Sequence, residues 1–88
     1  MKDILNKLGI NESGYYGKDG AYVIDLEDSN AYGKVYTKFD KSEDFDEIED
    51  ESLLTIHNSS IVYENDSFRA TLISDFDQDT YRLVIKEI

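Results

Sequence analysis

Two alternating stretches near the carboxyl end decide the fold: Phe68-Arg69-Ala70-Thr71-Leu72-Ile73-Ser74, and, after a polar interval, Tyr81-Arg82-Leu83-Val84-Ile85-Lys86-Glu87. In an extended chain, every second residue points to the same face, and both stretches are rich in β-branched and aromatic residues. The interval at residues 75–79 is short and polar, which is typical of a tight turn between antiparallel strands. The sequence therefore predicts a carboxyl-terminal hairpin with one face turned toward a core.

Similar alternation outside this hairpin predicts more strands. Residues 21–27 place Tyr22, Ile24 and Leu26 on one face, and residues 31–39 alternate as well, so the polar residues 28–30 are predicted to join a second hairpin. Two short apolar segments precede the carboxyl-terminal hairpin and are also predicted to be strands. They are residues 53–57 and 61–64, with turns predicted at 58–59 and 65–67.

The amino-terminal residues show a helical pattern instead. Ile4, Leu5 and Leu8 recur at helical spacing behind Asp3, a possible N-cap, and Gly9 stands where a helix commonly ends. We expect a helix at about residues 3–9. Three glycines in residues 11–20 predict a loop or a short hairpin after it.

Together these segments predict one α+β domain over residues 1–88. A short N-terminal helix packs on an antiparallel β-meander sheet of about five or six strands, flat or curled, and an acidic loop or short helix lies between the two hairpin regions. A chain of 88 residues has room for one core, and 40% hydrophobic content supplies it.

The residues that catalysis or metal binding would need are scarce. The chain has no cysteine, and the single histidine, His57, is followed by a predicted turn with no sign of a nucleophile elbow. Residues 75–79 begin like a calcium loop, but Thr80 and Lys86 replace the required glycine and glutamate. No phosphate-binding glycine motif is present. We therefore expect no enzyme activity, no cofactor and no metal site.

The net charge of −11 opposes direct binding to nucleic acid or to an anionic membrane, because both need clustered lysine and arginine. Neither a secretory signal nor an apolar run of about 18 residues is readable. The absence of cysteine fits a reducing compartment. We expect a cytoplasmic protein whose partner is a basic protein surface.

Most of the charge lies in residues 40–51, which hold eight carboxylates and one lysine, a net of −7. Phe45 and Ile48 are its only apolar residues, and their spacing would suit a short helix begun by Ser42. Such a helix would carry about one charge per 2 Å, close to the value of about 1.7 Å for duplex DNA. The other interpretation is a solvated loop that keeps the chain soluble. The predicted partner-binding residues are Asp40, Glu43, Asp44, Asp46, Glu47, Glu49, Asp50 and Glu51, with Tyr32 and Tyr36 as exposed anchors.

In size, charge and lack of catalytic residues, the chain resembles the small acidic inhibitors made by phages and mobile elements. That resemblance implies an inhibitor that occludes the nucleic-acid-binding surface of a nuclease or defence enzyme by mimicking DNA. Two alternatives stay open. One is an immunity protein or antitoxin that neutralises a basic toxin, and the other is a structural or accessory domain of a phage or bacterial assembly, which would self-associate.

Overall fold

The computed structural model describes residues 2–48, 58–75 and 78–88 of the chain. The described elements are α1 (Lys2–Leu8), β1 (Tyr15–Tyr16), β2 (Tyr22–Leu26), α2 (Ser29–Lys41), β3 (Asp46–Ile48), β4 (Asn58–Glu64), β5 (Phe68–Asp75) and β6 (Thr80–Glu87). All neighbouring strands are antiparallel, and the sheet has the order β1-β2-β6-β5-β4-β3, with β1 and β3 at its edges. The predicted α+β class, with a short N-terminal helix and an antiparallel sheet, is confirmed.

The carboxyl-terminal hairpin forms as the alternation predicts. Leu72 lies opposite Leu83 across β5 and β6, and both side chains are fully buried. Asp79 closes the turn with a φ of 53°, a left-handed conformation that aspartate tolerates better than most residues. The Tyr81 hydroxyl donates a hydrogen bond to Asp79 Oδ1 at 3.0 Å. These contacts fix the pairing register of the two central strands.

The end of α1 is a glycine-terminated cap, as its sequence predicts. Gly9 has a φ of 73°, and its N–H donates to the Asn6 carbonyl, while the Ile10 N–H donates to the Leu5 carbonyl at 2.8 Å. This is the hydrogen-bond pattern of a Schellman motif, in which a contact between the two outer residues usually excludes water. Leu5 and Ile10 are both buried. The cap therefore also anchors α1 to the core.

The predicted second strand at residues 31–39 is wrong, because these residues form most of α2. Asp28, predicted to lie in a turn, is the N-cap, and its Oδ1 accepts a hydrogen bond from the Ala31 N–H at 2.9 Å. The apolar residues fit both periodicities, because Val35 and Phe39, four residues apart, would share one face of a strand and also lie about one turn apart on a helix. Both are buried against the sheet, so tertiary packing selects the helix.

Since α2 replaces that strand, β2 finds other partners. It pairs with β1 on one side and with β6 on the other, which joins the amino-terminal half of the chain to its last strand. The turn predicted at residues 58–59 is also wrong, because these residues begin β4 and pair with Ser74 and Asp75. The strand predicted at residues 53–57 lies outside the described residues.

The two faces of the sheet have different roles. One face, here called the helix face, packs on α1 and α2 and forms the core; its buried members include Ile24, Leu26, Tyr63, Ala70, Leu72, Leu83 and Ile85. The alternating residues form the opposite face, here called the open face. It holds Val23, Asp25, Asp46, Ile48, Ser60, Val62, Glu64, Arg69, Thr71, Ile73, Asp75, Arg82, Val84 and Lys86.

Two glycines with opposite surroundings give a matched test of this fold. A Cβ on Gly14 would lie 2.1 Å from the Val23 carbonyl oxygen, whereas a Cβ on Gly33, inside α2, would meet nothing within 4 Å. We expect Gly14→Ala to lower the free energy of unfolding by about 1–3 kcal/mol through overpacking. Gly33→Ala should raise it by about 1 kcal/mol through helix propensity. Urea denaturation of the two variants measures both values, and a destabilising Gly33→Ala would contradict the helix.

Candidate functional site

An aromatic cluster fixes the carboxyl-terminal end of α2 on the sheet. The Phe39 ring stacks on the Tyr63 ring with centroids 5.3 Å apart, and the Phe45 ring meets Phe39 edge-on at 5.2 Å. All three side chains are buried. Aromatic pairs with these geometries are worth about 0.5–1.5 kcal/mol beyond the area that they bury. The cluster thus joins α2, the turn that follows it, and β4.

This cluster brings acidic side chains from two elements together. Asp40 directly follows Phe39 in α2, and Glu47 lies opposite Tyr63 in the pairing of β3 with β4. Both carboxylates act on the Tyr63 hydroxyl. The turn between α2 and β3 adds Glu43 and Asp44. We call this set the acidic corner: Asp40, Glu43, Asp44, Asp46 and Glu47, all of them exposed.

The acidic corner gathers five carboxylates, only one of which has a counter-ion among the described residues. Asp44 pairs with Lys7 Nζ at 3.0 Å. Within the described part of the chain, Asp40, Glu43, Asp46 and Glu47 form no ion pair. Carboxylates elsewhere do have cationic partners: Asp25 with Arg82 at 2.8 Å, Glu64 with Arg69 at 2.8 Å and Asp19 with Lys86 at 3.7 Å. Glu12, Glu27 and Glu87 also form no ion pair with a described residue, so what distinguishes the corner is that four such carboxylates lie together.

Tyr63 lies beneath the corner in an unusual environment. Its side chain is 1% exposed, and its hydroxyl makes no hydrogen bond of good geometry with any described residue, although Tyr36 is close by. Burial raises the pKa of the Tyr63 phenol above its ordinary value of 10.0, and the negative charges of Glu47 and Asp40 raise it further. The phenol therefore stays protonated while the protein is folded.

The structure corrects the local geometry predicted for residues 40–51. No helix begins at Ser42, which instead ends α2 with its N–H bonded to the Phe39 carbonyl at 3.1 Å. Phe45 anchors the segment as expected, but Ile48 points to the open face and is 37% exposed. The last three predicted acidic residues, Glu49, Asp50 and Glu51, lie outside the described residues. The described part is thus a helix end, a turn and an edge strand.

The tyrosines of α2 are less available than predicted. Tyr32 and Tyr36 are half-buried, and their rings pack against Tyr81 and Tyr63 at 5.5 and 6.5 Å. The exposed tyrosines are Tyr15 and Tyr16, which are 50% and 64% exposed on β1 at the far edge of the sheet. The sequence signal that could have identified them as exposed is their position between Gly14 and Gly17, in a stretch with neither helical nor strand periodicity.

A second acidic group lies at the other end of α2. Asp28 caps that end, and Asp79 is nearby, since both influence the Tyr81 hydroxyl. The thirteen residues of α2 separate this group from the acidic corner by about 18 Å. Asp28 and Asp79 therefore lie near each other and do not extend the acidic corner.

Comparison with family models, curated proteins and solved structures gives no match. Within residues 2–48, 58–75 and 78–88, no three His, Asp or Glu side chains are grouped so that they could hold a metal ion. Neither of the described helices is long and apolar enough to cross a bilayer. The acidic corner is therefore interpreted from its own geometry alone.

The buried phenol predicts a specific alkaline behaviour. Because the unfolded chain releases the Tyr63 proton near pH 10.0 and the folded chain holds it, the free energy of unfolding should fall as the pH rises above that value. One retained proton corresponds to about 1.4 kcal/mol per pH unit. In Tyr63→Phe the fall should be shallower by that amount. Urea denaturation at several pH values above 10.0 measures the slope, and equal slopes in both proteins would contradict the assignment.

Proposed function

We propose that this protein binds a basic surface of another protein through its acidic corner and blocks that surface by occupying it. The observation that carries the proposal is that four exposed carboxylates lie together at the corner and have no cationic partner among the described residues. Charges left unpaired on a rigid support are suited to a partner that supplies lysine or arginine.

The acidic corner contributes mainly to the rate and orientation of binding. Exposed ion pairs are worth only about 0.2–1 kcal/mol each, so four of them do not by themselves make a tight complex. They do speed up the encounter with an oppositely charged surface. Affinity then depends on apolar contacts beside the charges, and Ile48, exposed at the end of β3, is the nearest such side chain on the described surface.

The partner that fits best is a nucleic-acid enzyme, and the mechanism is occlusion without chemistry. A surface that binds phosphates is basic, and an acidic protein of this size can cover it. The DNA-like charge spacing of a helix does not support this proposal, because residues 42–48 are a turn and a strand. Asp46 and Glu47 point to opposite faces of β3, so the corner presents a broad charged edge. A phage or mobile-element origin and a cytoplasmic location belong to the same proposal.

Neutralising part of the corner tests this function. Asp40→Asn, Glu43→Gln and Glu47→Gln, made together, change the net charge from −11 to −8 and leave the Lys7–Asp44 pair intact. The matched control carries Glu12→Gln, Glu27→Gln and Glu87→Gln, three exposed positions outside the corner, with the same final charge. Affinity purification from the native cell, with stepwise elution by salt, should recover the same basic partner with wild type and control, and lose it with the corner variant.

The purified partner then gives a second readout. Binding should slow steeply as salt is added, because the screening length falls to about 8 Å at physiological ionic strength. If the partner is a nuclease, addition of the protein should displace its nucleic acid; a toxin as partner would instead indicate an immunity protein. Equal binding by the corner variant and the control, or an association rate independent of salt, would contradict the proposal.

A further inference from the structure

The open face of the sheet has a charge balance much closer to neutral than that of the acidic corner. Among the described strand residues it carries four carboxylates, Asp25, Asp46, Glu64 and Asp75, and three cations, Arg69, Arg82 and Lys86. Asp19, which precedes β2, adds a fifth carboxylate at the edge of the face, 3.7 Å from Lys86 Nζ. The difference is two negative charges, in a chain whose net charge is −11. A basic partner would gain little from this face. A molecule that binds this face must therefore be recognised by the arrangement of charged and apolar side chains, not by net charge.

The order of the charges on this face is more informative than their sum. The pairing registers place Asp46, Glu64, Arg69 and Lys86 side by side in one row across β3, β4, β5 and β6. From β3 to β6, the row has two negative charges followed by two positive charges. Glu64 and Arg69 also pair within the chain at 2.8 Å, and Lys86 pairs with Asp19 at 3.7 Å. A row of this kind is complementary to its own reverse, because each negative position then faces a positive one.

The neighbouring row on the same face is apolar. The same registers align Ile48, Val62, Thr71 and Val84 across the four strands, and the row continues to Val23 in β2 and Tyr15 in β1. Val62 is buried, the middle residues are half-buried, and the two ends of the row are exposed. β-branched side chains on a pleated surface are typical of sheets that pack on a second sheet.

We propose that the open face binds a second copy of this chain, face to face, with the charge row of one copy against the reversed row of the other. Two-fold symmetry makes the same patch meet itself, which is the requirement that an antisymmetric row fulfils. The axis lies parallel to the strands and passes between β4 and β5. Asp46 then faces Lys86 of the second copy, and Glu64 faces Arg69 of the second copy.

The apolar rows meet in the same arrangement. With this axis, Ile48 lies over Val84 of the second copy, and Thr71 lies over Val62, which its own chain already buries and which therefore adds little contact area. Stacked sheets lie about 10 Å apart, a gap that aliphatic side chains from both faces fill and long charged side chains can bridge. The acidic corner's Asp40 and Glu47 belong to the helix side of the molecule, so dimerisation leaves them accessible. Asp46 and Ile48 lie on the open face, so the second copy and a basic partner would compete for these two side chains.

The dimer is expected to be weak. Two chains of net charge −11 repel one another, and exposed ion pairs contribute little favourable free energy to offset that repulsion. The near-neutral face is the one at which this repulsion is least. Association should therefore become visible only at high protein concentration, in the upper micromolar to millimolar range.

Sedimentation equilibrium across a concentration series tests the proposal, with a charge reversal in the middle of the row. Glu64→Arg would set cations against Arg69 of the second copy, so the association constant should fall at least about tenfold, as expected for like charges set against each other at an interface. Glu12→Arg is the matched control, because Glu12 is exposed outside the face and the change brings the net charge to the same −9. It should dimerise at least as well as wild type. Glu64→Arg combined with Arg69→Glu restores both complementarity and the net charge, and should restore the dimer.

Methyl chemical shifts give a second measurement that does not depend on the variants. On dilution of the wild type, the methyl signals of Ile48 and Val84 on the open face should shift, and those of Val35, buried under α2, should not. A wild type that stays monomeric at the highest concentration would overturn the proposal. So would a folded Glu64→Arg variant that dimerises like Glu12→Arg, a folded double variant that stays monomeric, or shifts confined to residues outside the open face.

Discussion

The stacking of Phe39 on Tyr63 is the contact on which the rest of this structure depends. Phe39 is completely buried, and its ring ties the end of α2 to β4, which two strands separate from the β2 that precedes the helix. With that end fixed, α2 must cross the helix face of the sheet, and the chain can enter β3 only at the edge. The same contact decides where the charges lie. Asp40 and Glu47 come together because each is next to one of the two stacked rings.

The surface divides into parts with different electrostatic roles. On and beside the open face, cations lie 2.8–3.7 Å from carboxylates, as in the Glu64–Arg69 and Asp19–Lys86 pairs. Because each pair is nearly neutral, the electric field that it produces falls off quickly with distance. At the acidic corner, four carboxylates form no ion pair with any described residue. Exposed pairs add little stability, so this division says more about what can approach each surface than about what holds the fold together. In the proposed function a basic partner would approach the corner, and the open face, which is closer to neutral, would be left for the proposed self-association.

The sequence predicts the strands and the first helix well because their signals are local. Alternation in residues 68–87 specifies β5 and β6, and Gly9 specifies the end of α1. Residues 31–39 could not be assigned from periodicity alone, since Val35 and Phe39 fit a strand face and a helix face equally, and only the sheet beneath them decides. Asp28 was an N-cap signal that its turn-like neighbours concealed. For the candidate site, the sequence identifies the acidic residues, but the pairing that leaves Glu47 without a cation depends on a contact between distant segments.

Solution NMR of the wild-type protein tests the central claim most directly. If α2 lies on the sheet as described, Ser29–Lys41 will show the short-range amide contacts of a helix, and the ring protons of Phe39 will show nuclear Overhauser effects to those of Tyr63. Cross-strand contacts between the α protons of residues 31–39 and those of Tyr22–Leu26 would show that these residues form a hairpin. That result would contradict the fold and, with it, the acidic corner.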